Sequence, residues 1–169
     1  TADPGATVEV SLGGVIQLAV ADTAGNWQTT YENADIEDGE YTSPVNATVT
    51  DAAGNTRAVY ATVEVDTAVQ DLARTDLGVA TAADGSDVIN EAVADAGFAV
   101  TGTVEPGSDV RVTLGGVTRS ATVDANGNWS ASFQSDDIPR GEYDVAITVE
   151  ATDGAGNVAA KTLELEREP

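Results

Sequence analysis

Slid against itself, the sequence comes into register at an offset of 102 residues, and that repeat restricts the possible folds more than any other feature. Residues 1–66 align with 103–168 without a gap and share 26 identities, where chance gives a handful. Pro4-Gly5 falls on Pro106-Gly107, Leu12-Gly13-Gly14-Val15 on Leu114-Gly115-Gly116-Val117, and Gly25-Asn26-Trp27 on Gly127-Asn128-Trp129. Gly39-Glu40-Tyr41 repeats as Gly141-Glu142-Tyr143, and Asp51 with Ala53-Gly54-Asn55 repeats as Asp153 with Ala155-Gly156-Asn157. The chain is therefore part of a tandem array, divided into 1–66 and 67–169. Segment 67–102 has no counterpart ahead of Thr1, so the first repeat is expected to lack its first third. With no Met at its start, the chain reads as a piece of something longer.

The complete repeat predicts an all-β fold. Apolar and polar residues alternate in Val110-Arg111-Val112-Thr113-Leu114 and again from Tyr143 to Val149. Strands are expected near 72–80, 97–104, 109–115, 117–123, 128–134, 142–152 and 157–166, here lettered A to G. Gly115-Gly116 between two such runs is a two-residue hairpin signal, since both positions tolerate φ > 0. Asp124 to Asn128 and Asp153 to Asn157 carry turn chemistry as well. Only Val88 to Ala96 suggests a short helical turn. Antiparallel strands at this spacing predict tandem Ig-like β-sandwiches of about seven strands each. The first repeat would hold strands C to G and lack the two N-terminal ones. Gly141-Glu142-Tyr143 lies where such folds place a tyrosine corner. Trp27 and Trp129, each opening an alternating strand, read as core in preference to a sugar-stacking platform.

Charge narrows the function. Asp and Glu number 29 against 7 Lys and Arg, giving a formal charge of −22. Such a surface repels phosphate backbones and anionic lipid, so nucleic acid and membrane surfaces are poor partners. With no His and no Cys there is no Ser-His-Asp or Cys-His relay, thiolate zinc site or disulfide. No apolar run approaches the roughly 18 residues of a bilayer span, and no signal-peptide pattern opens the chain. An enzyme is the least favoured class, because the paired Asp136-Asp137 sits in a turn with no aromatic cleft.

Following the strands back and forth sorts the loops into two poles. The pole where the linker enters collects Asp66, Asp124 and Asp153, while the opposite pole collects Asp84, Asp87, Asn90, Glu91 and Asp136-Asp137. Along an array the two poles meet, and like charges gathered there are costly unless a cation sits among them. Calcium accepts six to eight oxygens in flexible geometry and suits such loops. Asp66, Asp124 and Asp153 are the candidate joint ligands, with Asp35 or Asp38 reaching from the preceding repeat. Asp84, Asp87, Asn90 and Glu91 form a second candidate set that does not match EF-hand spacing. Asp and Asn in turns also serve backbone hydrogen bonding alone, and Asp124 and Asp153 are open to that reading.

These residues resemble a known family. Val112 to Gly116, Asp124 to Trp129, Gly141-Glu142-Tyr143, Asp153 to Asn157, Val65-Asp66-Thr67 and Asp87 to Glu91 are similar to bacterial Ig-like repeats. Those repeats are strung in tandem in the giant calcium-dependent RTX and biofilm adhesins of Gram-negative bacteria. The resemblance implies a non-enzymatic extender at the extracellular bacterial cell surface, exported by type I secretion. It further implies neighbouring Ig-like repeats as partners and Ca²⁺ stiffening the joints. Two positions depart from the pattern. Ala68 to Asp71 lack the usual Pro, and Arg167-Glu168 replaces the Val-Asp pair at the second junction. A sugar- or peptide-binding module is the alternative, and acidity as a salt adaptation without bound cation is a third reading. For residues 1–66, completion by an outside strand is one expectation and an open sandwich another.

Overall fold

The computed structural model describes residues 1–81 and 87–167. The chain forms two compact units, Thr1–Thr67 and Ala68–Pro169. Unit 1 is one antiparallel sheet of β1 (Thr7–Leu12), β2 (Val15–Val20), β3 (Glu40–Thr50) and β4 (Thr56–Asp66), in the order β2-β1-β3-β4. Gly13 and Gly14 close the first hairpin at φ 56° and 92°, a left-handed pair that a Cβ would oppose. Val8 pairs with Val49, Val10 with Ala47 and Leu12 with Val45, so the alternation sends these apolar side chains to one face. Val8, Val10 and Ala19 are buried there, with Trp27 and Tyr31 lying partly buried against them.

Four strands form in unit 1 where the repeat led us to expect five. Residues 26–32 match strand E of the second repeat but are in no strand. In unit 2 that strand is paired by one from segment 68–103, and unit 1 has no such neighbour to satisfy its backbone. The face that strand would help close stays open: Val59 and Val63 are 57% and 42% exposed.

Unit 2 is a closed sandwich. Its strands are β5 (Ala73–Asp76), β6 (Ala80–Thr81), β7 (Asp87–Ile89), β8 (Phe98–Thr103), β9 (Asp109–Leu114), β10 (Val117–Ser120), β11 (Thr122–Val123), β12 (Asn128–Phe133), β13 (Tyr143–Thr152) and β14 (Val158–Arg167). One sheet runs β10-β9-β13-β14-β7-β6 and the other β11-β12-β8-β5. Two expected strands divide between the sheets. Strand A splits into β5, which pairs β8, and β6 with β7, which join the opposite sheet; strand D splits at Ala121. The β7–β14 pairing is parallel, in a sandwich expected to be antiparallel throughout. Splitting a strand lets it close both sheet edges, which limits the unpaired backbone that invites aggregation.

The helical turn expected over 88–96 is the helix α1 (Glu91–Ala96), capped by the Asn90 side chain, which accepts from Val93 N–H. Trp129, Phe133, Leu114 and Ile147 are almost fully enclosed between the sheets, and Phe98 stacks on Phe133 at 5.7 Å. Gly102 is required by that packing, because a Cβ there would run into the Trp129 indole and the Ala73 carbonyl. The indole N–H is satisfied by the Thr103 carbonyl at 3.1 Å. Both units carry the tyrosine corner: Tyr143 donates to the Pro139 carbonyl at 2.7 Å, and Tyr41 to the Glu37 carbonyl at 3.0 Å.

Candidate functional site

Strand registers fix which loops share an end. In unit 2, Asn128 opposes Thr103, Ala73 opposes Thr103 and Thr152 opposes Asp109. The turns at Asp124 and Asp153 therefore sit at the same end as the incoming chain at 68–73, as the pole reading expected. Around Asp153, a depression of about 330 Å³ is lined by Asp109, Arg111, Glu150 and Thr152. Arg111 brings one positive charge to it, 3.7 Å from Asp109. The opposite end holds α1 and the 3-10 turn Ser135–Asp137, because Phe133 opposes Phe98. In unit 1, Asp66 closes β4 at the outgoing end, opposite Glu40. Two carboxylates facing each other across a ladder repel, and a cation relieves that.

Asp124 and Asp153 are first of all turn formers, and they are not alone. Asp22, Asp51, Asp124 and Asp153 each begin the same five-residue turn, Asp-x-x-Gly-Asn. Each Asp N–H donates to the carbonyl of the Asn four residues on, and each Gly N–H donates back to the Asp carbonyl. In each turn one carboxylate oxygen, Oδ1, accepts the N–H groups two and four residues on, at 2.8–2.9 Å. At Asp51, Asp124 and Asp153 the other oxygen, Oδ2, accepts the Asn side-chain amide at 2.7, 3.0 and 2.8 Å. This local pattern is what Asp offers a turn.

These donors set the charge state. The Asn128 amide, followed by the backbone N–H groups of Asn128 and Asn126, holds the Asp124 carboxyl below its usual 3.8. Burial pushes the Asp153 carboxyl up, yet the Asn157 amide and the backbone N–H groups of Asn157, Gly156 and Ala155 outweigh it and bring it below 3.8. Asp22 and Asp51 are lowered in the same way, by Asn26 N–H and by the Asn55 amide foremost. All four thus stay anionic through the neutral range. Their Oδ2 oxygens keep lone pairs for a hard cation, while Oδ1 is largely spent on the turn.

The second candidate set is arranged differently. Asp84 lies outside the described residues. Asp87 pairs with Arg74 at 3.3 Å, Asn90 caps α1, and Glu91 accepts from Arg140 at 2.7 Å, a guanidinium that also reaches Asp95 at 2.7 Å. Protein partners thus take each described member. Among the described residues, no group of three or more acidic side chains is gathered to hold an ion. The hard-oxygen chemistry at Asp66, Asp124 and Asp153 suits calcium, but neither unit by itself builds a closed cage.

One ionic feature escaped sequence reading. Asp137 is buried and takes both Arg119 nitrogens Nε and Nη2, the Nε contact at 3.1 Å, and accepts Gln134 N–H at 2.9 Å. The Arg119 guanidinium holds its carboxyl below 3.8. Asp35 stands at the same repeat position and accepts Glu32 N–H at 3.0 Å, but Gln17 replaces the arginine. The identity of Asp35 and Asp137 across the offset was the available signal.

Residues 1–67 match the family of bacterial Ig-like domains, and residues 86–164 match the bacterial Ig domain. No curated protein matches the chain. Among solved structures, the chain is similar to a Ca²⁺-stabilized adhesin that helps an Antarctic bacterium reach out and bind ice, at 27% identity over 99% of its length and 41% of that structure, with TM-score 0.49. A 1.5-MDa bacterial ice-binding adhesin aligns at 28% identity over 98% of the chain and 54% of that structure, with TM-score 0.46. An immunoglobulin-like domain of the M. primoryensis ice-binding adhesin shares 31% identity over 48% of the chain and 85% of the domain, with TM-score 0.34. The chain spans about half or less of the first two structures.

Proposed function

Since both units of this chain belong to the bacterial Ig-like domains, we propose that it is a structural extender segment of a large bacterial surface adhesin, rigidified by calcium where successive repeats follow one another. The observation that carries this reading is recurrence. The acidic turns at Asp22 and Asp51 return at Asp124 and Asp153 in the same register, with the same hydrogen bonds. A site for sugar or peptide would draw on residues peculiar to one unit, whereas a feature present in every repeat serves the array. The same repetition speaks for a mechanical and against an enzymatic role.

In this proposal Asp66, at the end of β4, and Asp124 and Asp153, each opening an Asp-x-x-Gly-Asn turn, are calcium ligands. The Asp124 and Asp153 carboxyls, held below 3.8 by their own turn donors, are negative at any physiological pH. Bound calcium supplies positive charge and accepts several carboxylate and carbonyl oxygens at once. The chain's own contribution is to hold Asp124 and Asp153 rigidly in turns that leave Oδ2 available. The setting that suits this is the extracellular bacterial surface, with adjacent Ig-like repeats as partners. Affinity is expected on the order of 10⁻⁴–10⁻³ M, the range of extracellular calcium modules.

Thermal melts in EDTA and in millimolar CaCl₂, with KCl matching the ionic strength, test the reading. A rise in Tm with calcium alone, accompanied by a longer and stiffer particle in small-angle scattering, is expected. Equal stabilisation by KCl would assign the acidity to salt adaptation and reject the calcium role.

A further inference from the structure

One sheet edge differs between the two units at positions the fold makes equivalent. β2 and β10 each end a sheet, in the orders β2-β1-β3-β4 and β10-β9-β13-β14-β7-β6. Residues 15–20 match 117–122 across the repeat, and four of the six positions differ: Ile16 for Thr118, Gln17 for Arg119, Leu18 for Ser120 and Val20 for Thr122. Every difference exchanges a hydroxyl or a charge for an apolar or neutral side chain. Ile16, Leu18 and Val20 alternate with the buried Ala19, and they stand 56%, 67% and 66% exposed. Thr118, Ser120 and Thr122 are exposed as well. Segment 68–102 is in place in unit 2, so solvent reaches this edge in a closed sandwich too. There it meets hydroxyls, and Thr118 is hydrogen-bonded across the ladder to Thr113 at 2.8 Å. In unit 1 the same pair is Ile16 and Ser11.

We propose that β2 pairs edge to edge with β2 of a second copy of this chain, joining two unit 1 sheets about a two-fold axis at Leu18. Edges are kept from such pairing by charged residues, Pro or a bulge, and Val15-Ile-Gln-Leu-Ala-Val20 has none of these. Antiparallel pairing about Leu18 sets Ile16 against Val20 and Leu18 against its own counterpart, so the apolar row of one copy continues on the same face of the other. The net charge of −22 opposes self-contact, but the one carboxylate of β1, Glu9, lies a strand further in, opposite Leu18. Two Glu9 residues would stand three strand spacings apart, about 14 Å, beyond the roughly 8 Å screening length of physiological salt. A charged partner finds nothing to pair with in this row, whereas a second copy brings the matching one. A ladder of 6 residues with three apolar side chains falls short of a stable interface, which takes about 800 Å² per partner, so the contact is weak and reversible. Main-chain hydrogen bonds hold it, and the apolar row sets its register. On the extender reading above, it gives lateral cohesion between copies standing side by side; the pairing itself needs no calcium.

Sedimentation equilibrium of the full chain, from micromolar to millimolar concentration, tests the pairing; EDTA in the buffer separates the result from the calcium reading. Reversible dimerisation is expected, and it should tighten as NaCl is raised, because salt screens the repulsion between acidic copies. The triple variant Ile16→Thr/Leu18→Ser/Val20→Thr, which carries the residues unit 2 has at the same positions, should associate about 10-fold more weakly or less. The chain has no Cys, so Leu18→Cys places a single thiol at the axis, where paired Cα atoms about 4.5–5.5 Å apart suit a disulfide. With diamide taking up the two electrons and two protons, L18C should form covalent dimers, and Ser120→Cys, at the equivalent place in unit 2, should not. A monomer at every concentration overturns the proposal, and so does undiminished association of the triple variant or equal cross-linking at the two positions. Association that weakens with salt would mean attraction between charged groups and overturn it as well.

Discussion

Trp27 and Trp129 sit at the same repeat position in the same Gly-Asn-Trp sequence, yet one is half-buried and the other 2% exposed. Nothing local separates them. Both follow the same Asp-x-x-Gly-Asn turn, and both are followed by a residue that donates or stacks inward, Tyr31 or Phe133. The difference is β8, which supplies Gly102 beneath the Trp129 ring and the Thr103 carbonyl for its indole N–H. A repeat's turns are local properties, whereas its core is a property of the pair of sheets.

Truncating the two tryptophans separates these contributions most strongly. Trp129→Ala empties an enclosed site and is expected to cost unit 2 about 3–5 kcal/mol, the usual loss for a buried aromatic. Trp27→Ala, at a partly open site, should cost unit 1 about 1 kcal/mol or less, because little cavity is left when one side already faces solvent. Calorimetric melts of the two variants measure both. Equal losses would mean that the open face of unit 1 is covered in solution, and the comparison would break.

The next largest contrast is ionic. Asp35 and Asp137 cap equivalent 3-10 turns, but only Asp137 also holds an arginine. Asp137→Ala removes the cap and strands the Arg119 guanidinium, so it should lower the Tm of unit 2 by several degrees. Asp35→Ala removes a cap alone and should lower unit 1 by less. Restoring a partner by Gln17→Arg in unit 1 sharpens the point: the added arginine should raise its Tm when Asp35 is present and not when it is alanine. Additive behaviour of the two changes would show that the pair is not coupled.

Much of this architecture was legible in the sequence because it rests on short-range chemistry. Gly115-Gly116, the Asp-x-x-Gly-Asn turns and the Gly-Glu-Tyr corner each specify a local backbone, and all of them form in unit 2. The polar ends were legible too, since alternating strand direction alone assigns Asp124 and Asp153 to the end where the linker enters. What escaped was set by pairing between distant segments. The splitting of strand A and its parallel β7–β14 contact depend on where β14 ends, 78 residues further on by the Glu166↔Val88 register. The failure of 26–32 to form a strand depends on an absent neighbour. The partners of Asp87, Asn90 and Glu91 were invisible in one dimension too: Arg74, the α1 N-terminus and Arg140 meet them only in the fold.

The smallest expected effect concerns what the two units share. Asp22, Asp51, Asp124 and Asp153 all have folded carboxyl values below 3.8, and all owe this mainly to donors within their own five-residue turns. A group lowered on folding stabilises above its unfolded value and loses that stabilisation as pH falls through its folded value. The contribution of the turns should therefore be complete above about pH 5 and fade only on acidification below the ordinary carboxylate range. Since the donors are local, the fade should occur alike in unit 1 and unit 2, whatever covers the open face. Carbon-detected NMR titration of the four carboxyls resolves this, with Asp153 the one whose burial pulls against its hydrogen bonds. If the two turns of unit 1 titrated near 3.8 while those of unit 2 stayed low, turn formation would depend on sandwich closure. The division between local turns and a shared core would then fail.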